Sequence, residues 1–165
     1  MLNDKKIKEL ALSSDLITPY DERLLNPVSY DLTLCSEFRI PDPRIVGYFD
    51  MTNNSSWFTL EANQFVLGGT KEIVKIPDNL TGIVCGKSSK ARTGISVEFA
   101  GLIDPGFEGN ITLEIKNLIC WPVSLRVGEP ICQIMFFEND APEIKKYQEV
   151  GHYNHQRGAT LAWTK

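Results

Sequence analysis

The chain has 165 residues, of which 42% are hydrophobic and 23% are charged, and its formal net charge is −4. This composition is typical of one globular domain with a buried core, and it excludes an intrinsically disordered chain. The negative charge argues against a general nucleic-acid binder, which carries a basic face. The first residues contain no apolar leader and no run is long enough to span a bilayer, so we expect a cytoplasmic protein.

The hydrophobic spacing predicts one helix followed by strands. Asn3 or Asp4 can cap a helix over residues 3–13, because Ile7, Leu10 and Ala11 recur at helical spacing. Later apolar residues recur at every second position, which is typical of strands. The predicted strands cover residues 30–34, 57–60, 64–67, 72–76, 82–85, 95–99, 111–116, 122–127 and 130–137. We therefore expect one all-β domain over residues 1–165, a sandwich or barrel with a short N-terminal helix.

The segment from Gly86 to Gly94 concentrates hydrogen-bond donors. Its donor side chains are those of Lys87, Ser88, Ser89, Lys90 and Arg92. It is not a P-loop, because that motif needs four residues between its glycines and only three separate Gly82 from Gly86. Two interpretations stay open: an anion-binding loop, and a hairpin connection that happens to contain lysine and serine.

Two carboxylates follow this loop in the sequence. Asp104 begins an Asp-Pro-Gly turn of type I or II, and a role in binding a sugar hydroxyl or a water molecule is the alternative. Glu114 alternates with apolar neighbours, so a solvated strand face is its commonest interpretation. Thr112 shares that face and apolar segments flank the strand. A carboxylate near an arginine, ionised and able to act as a general base, is therefore the second interpretation.

Metal chemistry of the zinc-deaminase kind is not predicted. Those enzymes carry H-x-E and a later P-C-x-x-C, and neither pattern occurs in this sequence. The two histidines, His152 and His155, both lie in a polar tail over residues 151–165. The tail is either a disordered chain end or a segment that closes over a ligand and excludes water.

Five segments, taken in order, resemble the dCTP deaminases of the trimeric dUTPase superfamily. The segments are 26–34, 86–92, 100–107, 109–114 and 153–160. The resemblance implies a distorted, dUTPase-like β-barrel that assembles as a homotrimer, with active sites between subunits. It also implies that Mg²⁺ is bound through the triphosphate of the nucleotide.

The resemblance also implies a role for individual residues. Glu114 would be the general base and proton carrier, and Ser88 and Arg92 would hold the attacking water, the pyrimidine and the Glu114 carboxylate. The Ala100 carbonyl would orient the water or the leaving amino group, and Asp104 would contact the 3′-hydroxyl. The remaining expected substrate contacts are Lys87, Ser89, Lys90, Ala91, Thr112, Leu113, Tyr147, His152 and Gln156.

Two departures from the family pattern affect the expected reaction. His152 stands where relatives usually have lysine, and the stretch from Ser96 to Ala100 is one residue shorter than in typical monofunctional bacterial deaminases. The leading hypothesis is hydrolysis of dCTP to dUTP and ammonia. The alternatives are a bifunctional enzyme that forms dUMP and diphosphate, a dUTPase, and a non-catalytic nucleotide sensor. Glu114 favours a deaminase, because plain dUTPases generally have an apolar residue there.

Overall fold

The computed structural model describes residues 1–42, 47–52, 56–97 and 99–163. Its helices are α1 (Asp4–Ser14), α2 (Ser88–Ala91) and α3 (Tyr147–Val150), with a 3₁₀ turn at Glu22–Leu24. Its strands are β1 (Ile17–Thr18), β2 (Tyr30–Asp42), β3 (Gly47–Thr52), β4 (Trp57–Leu60), β5 (Phe65–Lys75), β6 (Leu80–Gly86), β7 (Ile95–Ser96), β8 (Leu102–Ile103), β9 (Glu108–Asn117), β10 (Val123–Arg126) and β11 (Pro130–Glu138). The predicted fold class, mostly β with a helix near the N-terminus, is confirmed.

Helix α1 begins where the sequence predicts it. The Asn3 side chain accepts a hydrogen bond from the Lys6 backbone N–H at 3.1 Å, which is the bond expected of an N-cap residue. Ile7 and Ala11 lie on the buried face of the helix. The helix ends at Ser14, and the next residue, Asp15, has a left-handed conformation with φ of 56°.

Nine of the described strands form one antiparallel sheet. Its main path is β7-β9-β5-β2-β11-β6-β8, with β1 beside β5 and β3 beside β2. Strands β4 and β10 form a separate two-stranded sheet. Buried apolar side chains from Leu2 to Phe136 form one cluster between these elements. None of the described helices is both long and apolar enough to cross a membrane.

Strand β5 corrects the prediction of separate strands at 64–67 and 72–76. The two are halves of one strand, joined through an irregularity between Gly69 and Ile73 where the register against β9 shifts. The Asn110 side chain donates to the carbonyls of Thr70 and Glu72, both at 3.0 Å, and so satisfies the backbone groups that the irregularity frees. Local alternation stops at such a point, so the sequence pattern appears as two strands.

Strand β2 carries polar side chains on a buried face, contrary to the expected alternation of apolar and exposed residues. Asp31 and Thr33 are only 7% and 6% exposed. Thr33 donates its backbone N–H and its hydroxyl to Glu72 at 2.8 and 2.6 Å. Asp31 accepts hydrogen bonds from Asn26 and Lys87. The bond from Lys87 connects β2 to the segment from Gly86 to Gly94, called the donor-rich loop below. Sequence spacing identifies the strand but not these buried pairs.

Candidate active site

A cavity of about 690 Å³ lies against strand β9, a volume in the range of small-molecule sites. The turn after β8, helix α3 and the tail complete its walls. Its apolar lining includes Phe65, Leu67, Leu102, Ile103, Phe107, Ile111, Val150 and Leu161. Its polar lining includes Asp104, Thr112, Glu114, Tyr147, His152, Tyr153, Gln156 and Thr160. The combination of an apolar wall with a few converging polar groups is typical of a ligand site.

Glu114 reaches the cavity because of the strand period. Leu113 and Ile115 face the core and are at most 1% exposed, so Thr112 and Glu114 project to the opposite side. Glu114 is half-buried beside Leu67, its cross-strand neighbour on β5. The interpretation of Glu114 as a solvated surface residue is therefore wrong. Leu113, in contrast, has its side chain in the core.

Burial raises the pKa of the Glu114 carboxyl above its ordinary range. The backbone N–H groups of Glu114 itself and of Ala100 partly offset this, because they favour the ionised form. Ala100 thus faces the carboxylate with its N–H, whereas the resemblance assigned a role to its carbonyl. A carboxyl with a raised pKa exchanges protons more readily near neutral pH than a solvated one.

Asp104 is held at the cavity wall by a tight turn. The Phe107 N–H donates to the Asp104 carbonyl at 3.2 Å, and Gly106 has φ of +81° at the third position. These features define a type II turn, one of the two types that the sequence predicts. The Asp104 side chain is exposed, so the cavity has two carboxylates in different environments.

Tyr147 lies on the same side of the cavity as Asp104. Its ring packs edge-on against Phe107 with 6.0 Å between ring centroids. Burial raises the pKa of the Tyr147 hydroxyl, and the nearby charge of Asp104 adds to the effect. A neutral tyrosine hydroxyl can donate a hydrogen bond.

The tail covers the first half of β9. The His155 N–H donates to the Glu108 carbonyl at 2.6 Å, and the Thr160 N–H donates to the Thr112 hydroxyl at 3.0 Å. The rings of His152 and Trp163 stack with centroids 3.8 Å apart. The described part of the tail, residues 151–163, is therefore built against its own chain and closes one side of the cavity.

The donor-rich loop lies elsewhere in the chain. Lys87 pairs with Asp31 at 2.5 Å, and Lys90 pairs with Glu129 at 2.6 Å. Ser88, Ser89 and Arg92 are exposed, and among the described residues their side chains have no hydrogen-bond or ion-pair partner. None of the residues from Lys87 to Arg92 lines the cavity. The loop ends in a single turn of helix, α2, which the sequence does not predict.

The cavity of a single chain is short of positive charge. No lysine or arginine is among the described residues that line it, whereas two carboxylates are. A nucleoside triphosphate would be repelled by this charge distribution unless cations came from outside the chain. In the part of the chain that the structure describes, no group of three or more histidine, cysteine or acidic side chains could hold a metal ion.

The structure thus divides the predicted site residues into two groups and leaves Leu113, whose side chain is in the core, outside both. Seven of them line one cavity: Ala100, Asp104, Thr112, Glu114, Tyr147, His152 and Gln156. The loop residues Lys87, Ser88, Ser89, Lys90, Ala91 and Arg92 lie apart from the cavity, with Ser88, Ser89, Ala91 and Arg92 exposed and the two lysines partly buried. The stretch from Ser96 to Ala100 includes Glu98, which lies outside the described residues, so its length relative to other deaminases stays a sequence observation. The apolar wall formed by Phe65, Leu67 and Leu102 was not predicted, because nothing in its spacing distinguishes it from core.

Known proteins resemble the chain over most of its length. A family model described as dCTP deaminase-like matches residues 1–139. A protein of Persephonella marina named "dCTP deaminase, dUMP-forming" is 39% identical over 175 residues, covering 98% of this chain and 96% of its own length. A protein of the same name from a Sulfurihydrogenibium species is 39% identical over 174 residues, covering 98% and 96%.

A solved structure shows the same fold. The 2′-deoxycytidine 5′-triphosphate deaminase of Agrobacterium tumefaciens superposes with a TM-score of 0.66 at 25% identity. The match covers 82% of this chain and 47% of that chain. Fold, family model and curated relatives agree: the chain belongs to the dCTP deaminase-like family.

Proposed function

We propose that this protein hydrolyses dCTP to dUMP, releasing ammonia and diphosphate. The observation that carries the proposal is Glu114, a half-buried carboxyl with a raised pKa on the wall of a cavity of nucleotide size. The family supports a deaminase, and the relatives at 39% identity carry the dUMP-forming name. These names favour the bifunctional alternative over dUTP as the final product.

In the deamination step, water attacks C4 of the cytosine ring while Glu114 takes a proton from that water. The same carboxyl then delivers that proton to N3, so that the ring carries no net negative charge. The second water proton, now on the C4 hydroxyl, passes through the same carboxyl to the amino group; the C4–N bond breaks, ammonia leaves and the C4 carbonyl forms. A raised pKa suits a group that first accepts and then donates a proton. The Ala100 N–H holds the carboxylate in place during this exchange.

In the phosphate step, water attacks the α-phosphorus and diphosphate leaves. Asp104 is the second carboxylate of the cavity, and its exposed side chain suits contact with the 3′-hydroxyl and with the attacking water. The two acids are in different environments, which allows them different tasks in one cavity. Tyr147, His152 and Gln156 are assigned to the phosphates from the tail side.

The proposal includes a homotrimer in which each cavity is completed by a neighbouring copy. The cavity has two carboxylates and lacks lysine and arginine among its described lining residues, while the exposed side chains of Ser88, Ser89 and Arg92 have no partner in the part of the chain that the structure describes. The two surfaces are complementary in charge. Lys87 and Lys90, braced by Asp31 and Glu129, hold the loop in the shape that presents these three side chains.

The proposal also includes Mg²⁺, which would bind together with the nucleotide. In this proposal the ion is coordinated chiefly by phosphate oxygens and water, as is common for Mg²⁺ bound with a nucleotide. When bound, the ion would neutralise part of the triphosphate charge near the cavity's carboxylates. No metal ligand in the chain is proposed.

One product assay separates this function from its alternatives. The purified protein is incubated with Mg²⁺ and dCTP or dUTP, and nucleotides and ammonia are quantified. We expect dUMP and ammonia in equal amounts from dCTP. Accumulation of dUTP would mean a monofunctional deaminase, and turnover of dUTP without turnover of dCTP would mean a dUTPase. Binding without any product would mean a nucleotide sensor.

A further inference from the structure

A second cavity, of about 610 Å³, lies apart from the candidate active site, and none of its lining residues lines that site. Its walls come from the segment after β1, from β2, from the irregular part of β5 and from the turn between β10 and β11. The residues that line it include Tyr20, Arg23, Lys71 and Glu72. A volume of this size can hold a small molecule, and the charged side chains of the lining determine which kind.

Glu72 places a buried carboxylate in the wall of the second cavity. It is 2% exposed, and its two oxygens accept the backbone N–H and the hydroxyl of Thr33 at 2.8 and 2.6 Å. Among the described residues, no lysine, arginine or histidine pairs with it. A buried carboxylate without a positive partner is costly, so this position favours a ligand that donates hydrogen bonds to it.

The backbone of β5 directs Glu72 to this place. The register against β9 shifts between Gly69 and Ile73, and Glu72 lies inside the shifted stretch. Irregularities of this kind redirect side chains and are frequent beside functional sites. Because of this shift, Lys71 and Glu72, which are neighbours in sequence, both line the second cavity.

The remaining charges of the lining leave one cation free. Asp21 pairs with Arg23 at 2.6 Å, and Glu22 pairs with Lys8 at 2.5 Å. Lys71 is exposed, and its ammonium group has no hydrogen-bond or ion-pair partner in the described part of the chain. The second cavity therefore combines a free cation with a carboxylate that has no cation.

Tyr20 adds an aromatic ring and a free hydroxyl. The hydroxyl is buried and has no hydrogen-bond partner among the described residues, which is uncommon for a buried polar atom. Pro19 and Leu24 line the second cavity beside it. An aromatic ring among apolar side chains is a surface on which a planar base can pack.

We propose that the second cavity binds a nucleoside monophosphate whose base carries an exocyclic amino group. The amino group donates to the lone pairs of the Glu72 carboxylate that Thr33 leaves free, the phosphate pairs with Lys71, and the base packs beside Tyr20. A single phosphate matches the one free cation, whereas the nearby carboxylates would repel a longer phosphate chain. This site is separate from the candidate active site and does not rest on the proposed function.

A titration of the nucleotide-free protein with dAMP, followed by the amide signals in NMR, locates the site. The amides of Arg23, Lys71 and Gly128 should shift with a Kd of about 1 mM or tighter, and more than those of Glu114 and Gly151 at the candidate active site. Shifts confined to the candidate active site, or no shifts up to about 10 mM dAMP, would overturn the proposal. Inorganic phosphate that binds the second cavity as tightly as dAMP would overturn it too, because the base would then contribute nothing.

Occupation of the second cavity should also be felt by the donor-rich loop. Gly128 lines the second cavity, and the next residue, Glu129, pairs with Lys90 at 2.6 Å, so a ligand that holds this turn also holds the loop. At saturating dAMP the Arg92 amide, which donates to the Ser88 carbonyl at 3.0 Å, should exchange about threefold more slowly. An unchanged exchange rate at saturation would overturn this link to the loop.

Three variants, each shown by melting temperature to be folded, test the assigned contacts. Glu72→Gln keeps an acceptor for the Thr33 N–H and gains a donor for the Thr33 hydroxyl, so it removes the charge alone, and dAMP affinity should fall about tenfold. Lys71→Ala should weaken dAMP binding about fivefold. Lys75→Ala is the matched control, because Lys75 is an exposed lysine on the same strand that lines neither cavity, and its affinity should change less than about twofold. Wild-type affinity in Glu72→Gln, or equal losses in the two lysine variants, would overturn the proposal.

Discussion

At the scale of single residues, the geometry of β9 determines the environment of the Glu114 carboxyl. The period of β9 directs its side chain away from the core, and the cavity on that side removes it from bulk solvent. Burial alone raises its pKa, and a guanidinium from another copy would move the pKa back toward ionisation. The carboxyl can then be ionised before attack and still accept a proton during it.

Replacing Glu114 separates this role from substrate binding. Glu114→Gln keeps the shape of the side chain but cannot take a proton from water, so ammonia release should fall by at least about a thousandfold. Nucleotide affinity, measured by calorimetry with dCTP and Mg²⁺, should largely survive. Thr112→Ser serves as the control, because it keeps the hydroxyl beside Glu114 and should retain most activity. Undiminished ammonia release by Glu114→Gln would end the proposed mechanism.

Some site residues were predictable from sequence and others were not. The ordered segments identify Glu114, Asp104 and Ala100, and the cavity contains all three. The same resemblance assigns substrate contact to Leu113, whose side chain lies in the core. Leu113 can reach a ligand only through its backbone. A match of motifs identifies a segment, while the strand period decides which side chain faces the site.

At the scale of elements, side chains from other segments hold the donor-rich loop in place; these contacts, of Asp31 with Lys87 and of Gln133 with Gly86, are called the brace below. The Asp31 carboxylate comes from β2, and its partners Asn26 and Lys87 approach from two separate segments. The Gln133 side chain adds a bond to the Gly86 carbonyl at 3.1 Å. These contacts determine the path of the chain into α2, and therefore the direction in which Ser88 and Arg92 project.

Asp31→Asn should weaken the brace with little change in shape. The ion pair becomes at most a hydrogen bond from the charged Lys87 ammonium to a neutral amide oxygen in a mostly buried position, which should cost about 1–3 kcal/mol of unfolding free energy. Deamination should fall about tenfold because the loop is misplaced, although Asp31 lies outside the cavity. Urea denaturation and initial rates measure the two effects.

Glu9→Gln is the control for this change. It removes a surface ion pair with Lys6 in which both side chains are about half exposed, and exposed pairs of this kind contribute little. Both stability and rate should stay near wild type. Loss of stability in Asp31→Asn with an unchanged rate would show that the brace supports the fold alone.

The elements were predictable where local alternation is unbroken. The strand at 57–60 and the turn at Asp104 match their sequence predictions, and α1 begins one residue from its predicted start. Strands β1 and β8 have two residues each, too few to show a period. The irregular segment in β5 depends on Asn110, which is distant in sequence, so local spacing could not reveal it.

At the scale of the whole molecule, charge is divided between two surfaces. One carries the carboxylates of the cavity, and the other carries exposed serines and an arginine. The sequence predicts both the cavity carboxylates and the donor-rich loop. It does not predict that they lie apart within one chain, because a sequence pattern cannot distinguish contacts within a chain from contacts between copies. Phe99 and Leu102 are 60% and 63% exposed near this region, as expected of a surface that another copy covers.

Subunit mixing tests the central claim, a deamination site shared between copies. Glu114→Gln and Arg92→Ala are each purified, shown by melting temperature to be folded, and then mixed under conditions that exchange subunits. Each variant alone should be inactive. Over all the trimers formed, random assortment at equal amounts should restore about a quarter of the wild-type sites, because a cavity from one variant then meets the intact loop of the other. Mixed trimers that form but release no ammonia from dCTP would contradict the claim.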